Sequence, residues 1–463
     1  MRWNIIVECV GGDGKQYAIT LGTIERPAGS TTAESLGVNL QESKQIVNRL
    51  QETVVKQQLQ EHCEHRRKCP ACGRPRPVKD YRRHRVDTVQ GTVCFRVPRY
   101  QCCRCSPDTR VWNPASEVLS SRVTPELRHL QVSLGAQISY RKAADLLRML
   151  LPPMGGTTHT TIRSRVIGLG ERIDEEIRRD IAENRKPDKA AKHMVISIDG
   201  AFVKGRPPTD RASLEIITGR IEADAEPSKV FAVVRDQDGR AKQDVQGLLR
   251  KRGRDLETKL RVVSDGEDGM RSIVGRWFNA NEQQVLDWYH IARRFRAIGK
   301  CLIYLPHVED FNYRLSNHWQ HLNRAMWKIW HGNLYGANIA LTSFYDGVDI
   351  HTMVAEADSR GSTRVEQIRE RLTELWSYLT TNQTRLINYG REHREGHRIS
   401  TARVESIVDQ LVDWRMEKKQ HMRWTARGAQ MLLHTRCALL NGELGQYTNW
   451  SPSKSLPGLP IAA

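Results

Sequence analysis

The sequence predicts a mixed α/β core interrupted by a mostly helical segment, preceded by a small cysteine-rich ribbon and a run of short helices. Three observations carry this. Between 193 and 300, apolar strand runs, two of them reaching an aspartate, alternate with helical patterns, as in a mixed α/β domain. From 301 to 398 the strand signals all but vanish. Upstream, two Cys-x-x-Cys pairs flank a hairpin pattern.

Length and charge bound the function. The 463 residues leave room for about three domains. Hydrophobic content of 39% and charged content of 27% are those of an ordinary folded chain. Lys+Arg number 72 against 53 Asp+Glu, a formal charge of +19, which attracts a polyanion such as DNA, RNA or an anionic membrane. No run of 18 apolar residues exists, so no spanning helix is expected. The start, MRWNIIVECVGGDG, lacks the apolar core and small-residue cleavage site of a signal peptide. Ten clustered cysteines point to metal in a reducing compartment rather than to a secreted disulfide scaffold. These observations set the expectation of a cytoplasmic protein whose partner is nucleic acid and not a membrane.

Residues 1–60 read as a strand–turn–strand, RWNIIVECV and YAITLGTI around GGDGK, followed by a helix from Glu42 to about Gln60 with Ile46, Leu50 and Val54 on one face. The ribbon fills 61–112 and short helices fill 113–185, with KPDK (186–189) as a linker. The first part of the core spans 190–300. Its elements are the strand Val195–Ile198, the strands SLEIITGRIEA and KVFAVVRD, the strand of RVVSD, the helix MRSIVGRWF, and VLDWYHIARRF. Residues 301–398 form the helical insertion, where Thr363 and Glu366 make a capping box for a helix through Val365, Ile368, Leu372 and Leu375. The core resumes over 399–445 with helices through Val404, Ile407 and Leu411 and from Thr425 to Leu440, and 446–463 is a tail.

Cys69-x-x-Cys72 and Cys102-x-x-Cys105 bracket 29 residues that read as a hairpin, RHRVDTV and GTVCFRVPRY, with Gln90-Gly91 at the turn. Four soft ligands on two short turns at the base of a hairpin suit tetrahedral zinc, which replaces a core too small to hold itself. Cys103 is an alternative ligand within the second group. Residues 61–110 carry 13 Lys+Arg against 5 Asp+Glu, and this net +8 favours contact with phosphates. Downstream, TPELRHLQVSLG, SYRKAADLLRML and THTTIRSRVIGL suggest three helices, the last two separated by PPMGG. The third opens with polar and basic residues, so Arg163 and Arg165 are candidate DNA contacts of a helix-turn-helix-like unit.

Strand-transfer chemistry uses divalent metal to activate a hydroxyl and to stabilise the leaving oxygen, and magnesium prefers clustered carboxylates. Asp199 closes VISID and Asp265 closes RVVSD, 66 residues apart, each followed by a glycine (Gly200, Gly266). Such acids at neighbouring strand ends, joined by one from a later helix, form the site of an RNase H-like core. An isolated strand-end aspartate often only caps a turn; two in matched contexts carry more weight.

The cysteine ribbon, SYRKAADLL, VISIDGAFVKG, VVSDGEDG, LDWYHIARRF and TARVESIVDQLVDWRMEKKQHMRW together resemble the ISKra-four family of bacterial insertion-sequence transposases. These are DDE transposases related to those of Mutator-like elements. The resemblance covers most of the chain beyond about residue 60. It implies an RNase H-like catalytic core with Asp199 as first acid, Asp265 as second and Glu405 as third. It also implies magnesium or manganese at these acids, no covalent protein–DNA intermediate, and DNA ends and target DNA as substrates in the bacterial nucleoid. Ala402 stands where relatives often carry glycine. Asp287-Trp288-Tyr289-His290 resembles the Asp-x-x-His signature that follows the second acid in several DDE superfamilies, which makes Asp287 and His290 secondary candidates. Trp288 and Tyr289 either stack on a flipped base or pack. Lys204 and Arg206, just past the first acid, are candidate phosphate contacts on charge alone. Pairing two element ends implies a homo-oligomer. The rival expectations are a DNA-binding regulator without chemistry and a stand-alone RNase H-like nuclease, for which ribbon, helices and insertion are superfluous. His393-x-x-x-His397 lacks the glutamate placement of a zinc protease, and His318-x-x-His321 lacks metal-binding partners nearby.

Overall fold

The computed structural model describes residues 1–450 except 12, 13, 15, 30, 31, 106–110, 185–188, 207–211, 225, 236–238, 280, 281, 304–310, 356–358, 402–405 and 417–421. The chain forms two compact units, one of residues 1–169 with the segment from 442 onward, the other of residues 170–441.

In the first unit β1 (Arg2–Val10) and β2 (Gln16–Glu25) pair antiparallel as a two-stranded sheet. The helix α1 (Leu40–His65) follows. It starts where it does because Asn39 and Glu42 cap each other: the Asn39 side chain accepts from the Glu42 N–H at 2.9 Å and Glu42 accepts from the Asn39 N–H at 3.0 Å. The ribbon hairpin is β3 (Val78–Thr88) and β4 (Gly91–Gln101), extended by β5 (Val111–Trp112). Gly91 opens β4 at φ 117°, and a Cβ there would lie 1.9 Å from the Asn48 amide nitrogen; only glycine fits. After α2 (Ala115–Val118) come α3 (Pro125–Gln137), α4 (Tyr140–Leu150) and α5 (His159–Ala182). The three expected helices are present, the third twice as long as its sequence pattern suggested, and it crosses from the first unit into the second.

The second unit is built on a five-stranded mixed sheet. Its strands are β6 (His193–Lys204), β7 (Ser213–Ala223), β8 (Glu226–Val234), β9 (Lys259–Ser264) and β10 (Gln283–Leu286). Their order is β10-β9-β6-β7-β8. β6, β7 and β8 run antiparallel in succession, while β9 and β10 lie parallel to β6 on its other side. Parallel neighbours need crossovers, supplied by α6 (Arg240–Lys251) before β9 and α7 (Asp268–Trp277) before β10. One sheet face buries Ile196, Ile198 and Val262 against Val245 and Leu249 of α6 and Ile273 and Val274 of α7. The opposite face buries Val263 and Val285 under α8 (Trp288–Ile303), α9 (Phe311–Trp330), α10 (Leu334–Ala355), α11 (Ser359–Thr381) and α12 (Tyr389–Arg394). Both faces being covered explains why these strands read as continuous apolar runs.

Two boundaries differ from expectation. The helix α11 begins at Ser359, so Thr363 lies inside it and not at its start. From residue 406 the described chain is helical, and its Asp409–Asp413 stretch is a π-helix. The Gln410 and Leu411 carbonyls accept from the buried Arg436 guanidinium, which sits on α13 (Ala426–Leu440). The side chains of Gln430 and Asn441 meet backbone groups of Val234, Ala232 and Val230, so the outer edge of β8 is closed to further strand pairing. The last helix, α14 (Leu444–Thr448), belongs to the first unit. Among the described residues no helix is long and apolar enough to cross a membrane.

Candidate active site and metal centre

Parallel register brings the acids together. Ile198 of β6 lies opposite Ser264 of β9, and Ser264 lies opposite Leu286 of β10. The next residues, Asp199, Asp265 and Asp287, therefore come level where β9 and β10 end, partway along β6. β6 does not end at Asp199, as the sequence suggested; it continues to Lys204, paired with β7 throughout. The Asp-Gly step that reads as a turn is tolerated here because Gly200 continues the strand opposite Ile217.

Each carboxylate keeps a different company. Asp199 accepts from the Gly200 N–H at 2.7 Å through Oδ1. Burial pushes its carboxyl above the usual range; the Gly200 N–H and His290 oppose this, and the charges of Asp265 and Asp287 add to it. Asp265 accepts from the Tyr378 hydroxyl at 2.9 Å through Oδ1, while its Oδ2 lies 3.5 Å from His290 Nδ1. Tyr378 stands on α11, accepts in turn from the Gly266 N–H at 3.2 Å, and carries the Arg294 guanidinium 4.2 Å above its ring. Burial, then the Asp265 charge, holds the Tyr378 hydroxyl protonated far above its ordinary range. The Asn382 side chain donates to the Gly266 carbonyl at 3.0 Å, so the loop after Asp265 is pinned on both sides.

Asp287 has no solvent exposure. It accepts from the N–H groups of Tyr289 (2.8 Å) and Thr401 (3.1 Å) and from the Thr401 hydroxyl, and its Oδ2 lies 3.6 Å from His290 Nε2. This carboxylate thus fixes the first turn of α8 and the chain at Thr401, and His290 bridges it to Asp265. The Thr401 hydroxyl thus serves a carboxylate 114 residues away in the chain. Trp288 is partly buried and packs against Trp330 at 4.7 Å and Tyr389 at 5.0 Å between ring centres. Tyr289 stands edge-on to His290 at 5.7 Å. Glu405 lies outside the described residues. Among the described residues, groups of three or more possible ligands within 4.8 Å of one another are the ribbon cysteines and Glu392, Glu395 and His397; Asp199 and Asp265 belong to neither. A cavity of about 820 Å³ opens on Asp265 and His290, walled by Arg293, Arg294 and Arg371.

The second centre is in the ribbon. The thiols of Cys69, Cys72, Cys103 and Cys105 lie within 4.8 Å of one another and can hold a metal ion. Cys103 takes the place expected of Cys102. The strand β4 ends at Gln101 and the chain turns at residues 104 and 105; that turn brings Cys103 beside Cys105, so the second pair is Cys-x-Cys. The Cys69–Cys103 and Cys72–Cys103 sulfur separations are 3.2 and 3.7 Å, close to the roughly 3.8 Å edge of a tetrahedron with 2.3 Å zinc–sulfur bonds. The backbone N–H of Cys72, then the Cys103 thiol, lower the Cys69 thiol to about 6, whereas hydrogen bonds to Cys72 and Cys103 push Cys105 up to about 12. A bound dication would favour the thiolate form of all four.

Of the basic candidates, Arg163, Lys204 and Arg206 are exposed. Arg165 is half-buried, and desolvation lowers its guanidinium below the ordinary range. Two of the set-aside histidines have structural partners: His397 meets Glu392 at 2.8 Å, which Arg261 already holds at 2.6 Å, and His318 is buried against Phe344. Tyr378, Asn382 and the Asp287–Thr401 contact were not foreseen from sequence. No protein-family model matches this chain, and no curated protein matches it.

Proposed function

We propose that this chain is a DNA transposase that cuts and joins DNA strands by metal-dependent phosphoryl transfer on an RNase H-like core. The observation that carries the reading is the level placement of Asp199 and Asp265 on adjacent parallel strands, with His290 against the second. Three antiparallel strands flanked by two parallel ones, in the order β10-β9-β6-β7-β8, suit an RNase H-like sheet, and the insertion of α9 to α12 accounts for the 140 residues between Asp265 and Glu405.

The residues present fit magnesium or manganese. Both acids offer hard oxygens: Asp199 has Oδ1 engaged by Gly200, and Asp265 has Oδ1 engaged by Tyr378, which orients the second oxygen of each. Asp199 and Asp265 would hold the ion, with Glu405 as the expected third ligand. Bound there, a divalent ion supplies an activated hydroxyl and charge stabilisation at the leaving oxygen. Tyr378 and Asn382 set the direction of the Asp265 loop. Asp287 acts as a positioning residue, since it touches His290 and Thr401 and no solvent. The ribbon, held by zinc, and the α3–α5 helices would grip element ends, in keeping with a charge of +19, and the working form would be a homo-oligomer acting in the bacterial cytoplasm.

The test is cleavage of a DNA duplex carrying an element end, with Mg²⁺, by the unaltered chain and by Asp265→Asn. The expected result is binding by both and cleavage by the first alone. Equal cleavage by both would remove the carboxylates from the chemistry, and binding without cleavage by the unaltered chain would favour a DNA-binding regulator.

A further inference from the structure

The strand β1 is an open edge. Its only strand neighbour among the described residues is β2, and α1 packs on β2, where Leu21 and Ile24 are buried. The Gly22 position faces Ile46 of α1, and Gly22 pairs with Ile5. Trp3, Ile5 and Val7 therefore share the sheet face that α1 covers, yet Trp3 remains 47% exposed and Ile5 and Val7 are only partly covered. The outer edge of β2 is less suited to pairing: the register slips between Ile5 and Ile6 by the extra residue Leu21 on β2, and the Leu21 carbonyl accepts from Arg49 at 2.9 Å. A bulge blunts an edge, whereas a regular apolar strand with unpaired backbone groups invites a partner.

We infer that β1 pairs antiparallel with β1 of a second copy of this chain, about a two-fold axis through Ile5. The strand contains two charged residues, Arg2 and Glu8. A self-pairing in which facing residue numbers sum to ten sets Arg2 opposite Glu8 of the second copy, twice by symmetry, and opposite charges facing each other stabilise a ladder. The same register sets Ile5 against itself and Trp3 against Val7. It thus joins the uncovered apolar residues of both copies into one stripe beside their two α1 helices. The contact is isologous, so it closes as a dimer and does not propagate. It requires nothing of the carboxylate site and stands whether or not the chain cuts DNA.

The test uses the full chain without nucleic acid. Sedimentation over a concentration series is expected to show a dimer. Glu8→Arg turns both cross-strand pairs repulsive and is expected to raise the dimer dissociation constant by about 5- to 30-fold. Arg2→Glu combined with Glu8→Arg restores the pairs and with them the dimer, a rescue that a folding defect would not give. Across the axis of an antiparallel pair, Cα atoms lie about 4.5 to 5.5 Å apart, within disulfide reach. Ile5→Cys is therefore expected to cross-link on mild oxidation above the background of the unaltered chain, and Thr23→Cys on β2 is not. A monomer at every concentration overturns the inference. So does a dimer that Glu8→Arg leaves intact, or one that Ile5→Cys fails to cross-link.

Discussion

Thr401→Val probes the joint that links the two halves of the core. Thr401 is 1% exposed and Asp287 has no exposure. The substitution preserves side-chain shape and the Thr401 N–H bond to Oδ1, and it removes the hydroxyl that satisfies Oδ2. The remaining neighbour of that oxygen is His290 Nε2 at 3.6 Å, too far for a good hydrogen bond. Leaving a buried acceptor unsatisfied costs about 1–3 kcal/mol, more for a charged one; about 2 kcal/mol is expected. Because the chain has two compact units, a single unfolding midpoint is a poor measure, and local amide exchange is better. A loss of about 2 kcal/mol speeds exchange through local opening about 30-fold. The acceleration is expected in peptides holding Tyr289 and Thr401 and not in those from β7 and β8. Exchange within two-fold of the unaltered chain at both sites would refute the reasoning that Asp287 depends on this hydroxyl.

Three further outcomes are expected. Cys103→Ser lowers bound zinc per chain and loosens the ribbon, whereas Cys102→Ser leaves zinc content unchanged; elemental analysis of the purified variants separates them. Tyr378→Phe removes the donor to Asp265 and the acceptor of the Gly266 N–H and weakens divalent-ion binding several-fold in calorimetry, with the fold retained by circular dichroism. Against the cost of burial, His434 and Arg240 hold the Asp174 carboxyl down to about 2. A carboxyl depressed on folding gives stability that is full above its ordinary value near 4 and is lost as pH falls toward 2. Asp174→Asn is therefore expected to cost about 2 kcal/mol at neutral pH and to flatten the dependence of the melting temperature on pH between 4 and 2.

Much of the core was legible because its signals are local. Apolar runs gave β6 to β9, and helical periodicity gave α1, α3, α4 and α13. What failed depended on geometry that sequence does not carry. The end of β6 was misplaced because Asp-Gly favours turns in isolation, while pairing with β7 overrides that preference. Cys102 and Cys103 are chemically equal, and only the direction of the chain leaving β4 chooses between them. Thr363 and Thr401 carry capping chemistry, but one lies inside α11 and the other serves a carboxylate 114 residues away. Tyr378 matters because it reaches Asp265 across 113 residues, a contact that helical spacing does not reveal.

The central claim is that Asp199 and Asp265 share a divalent ion with Glu405. Iron(II), substituted for magnesium and treated with ascorbate and peroxide, cuts backbone beside the site that binds it. The account predicts cuts clustered near residues 199, 265 and 405, suppressed by excess Mg²⁺ and absent in Asp265→Asn. Cuts confined to other segments, such as 392–397, or a pattern indifferent to Asp265→Asn, would contradict it.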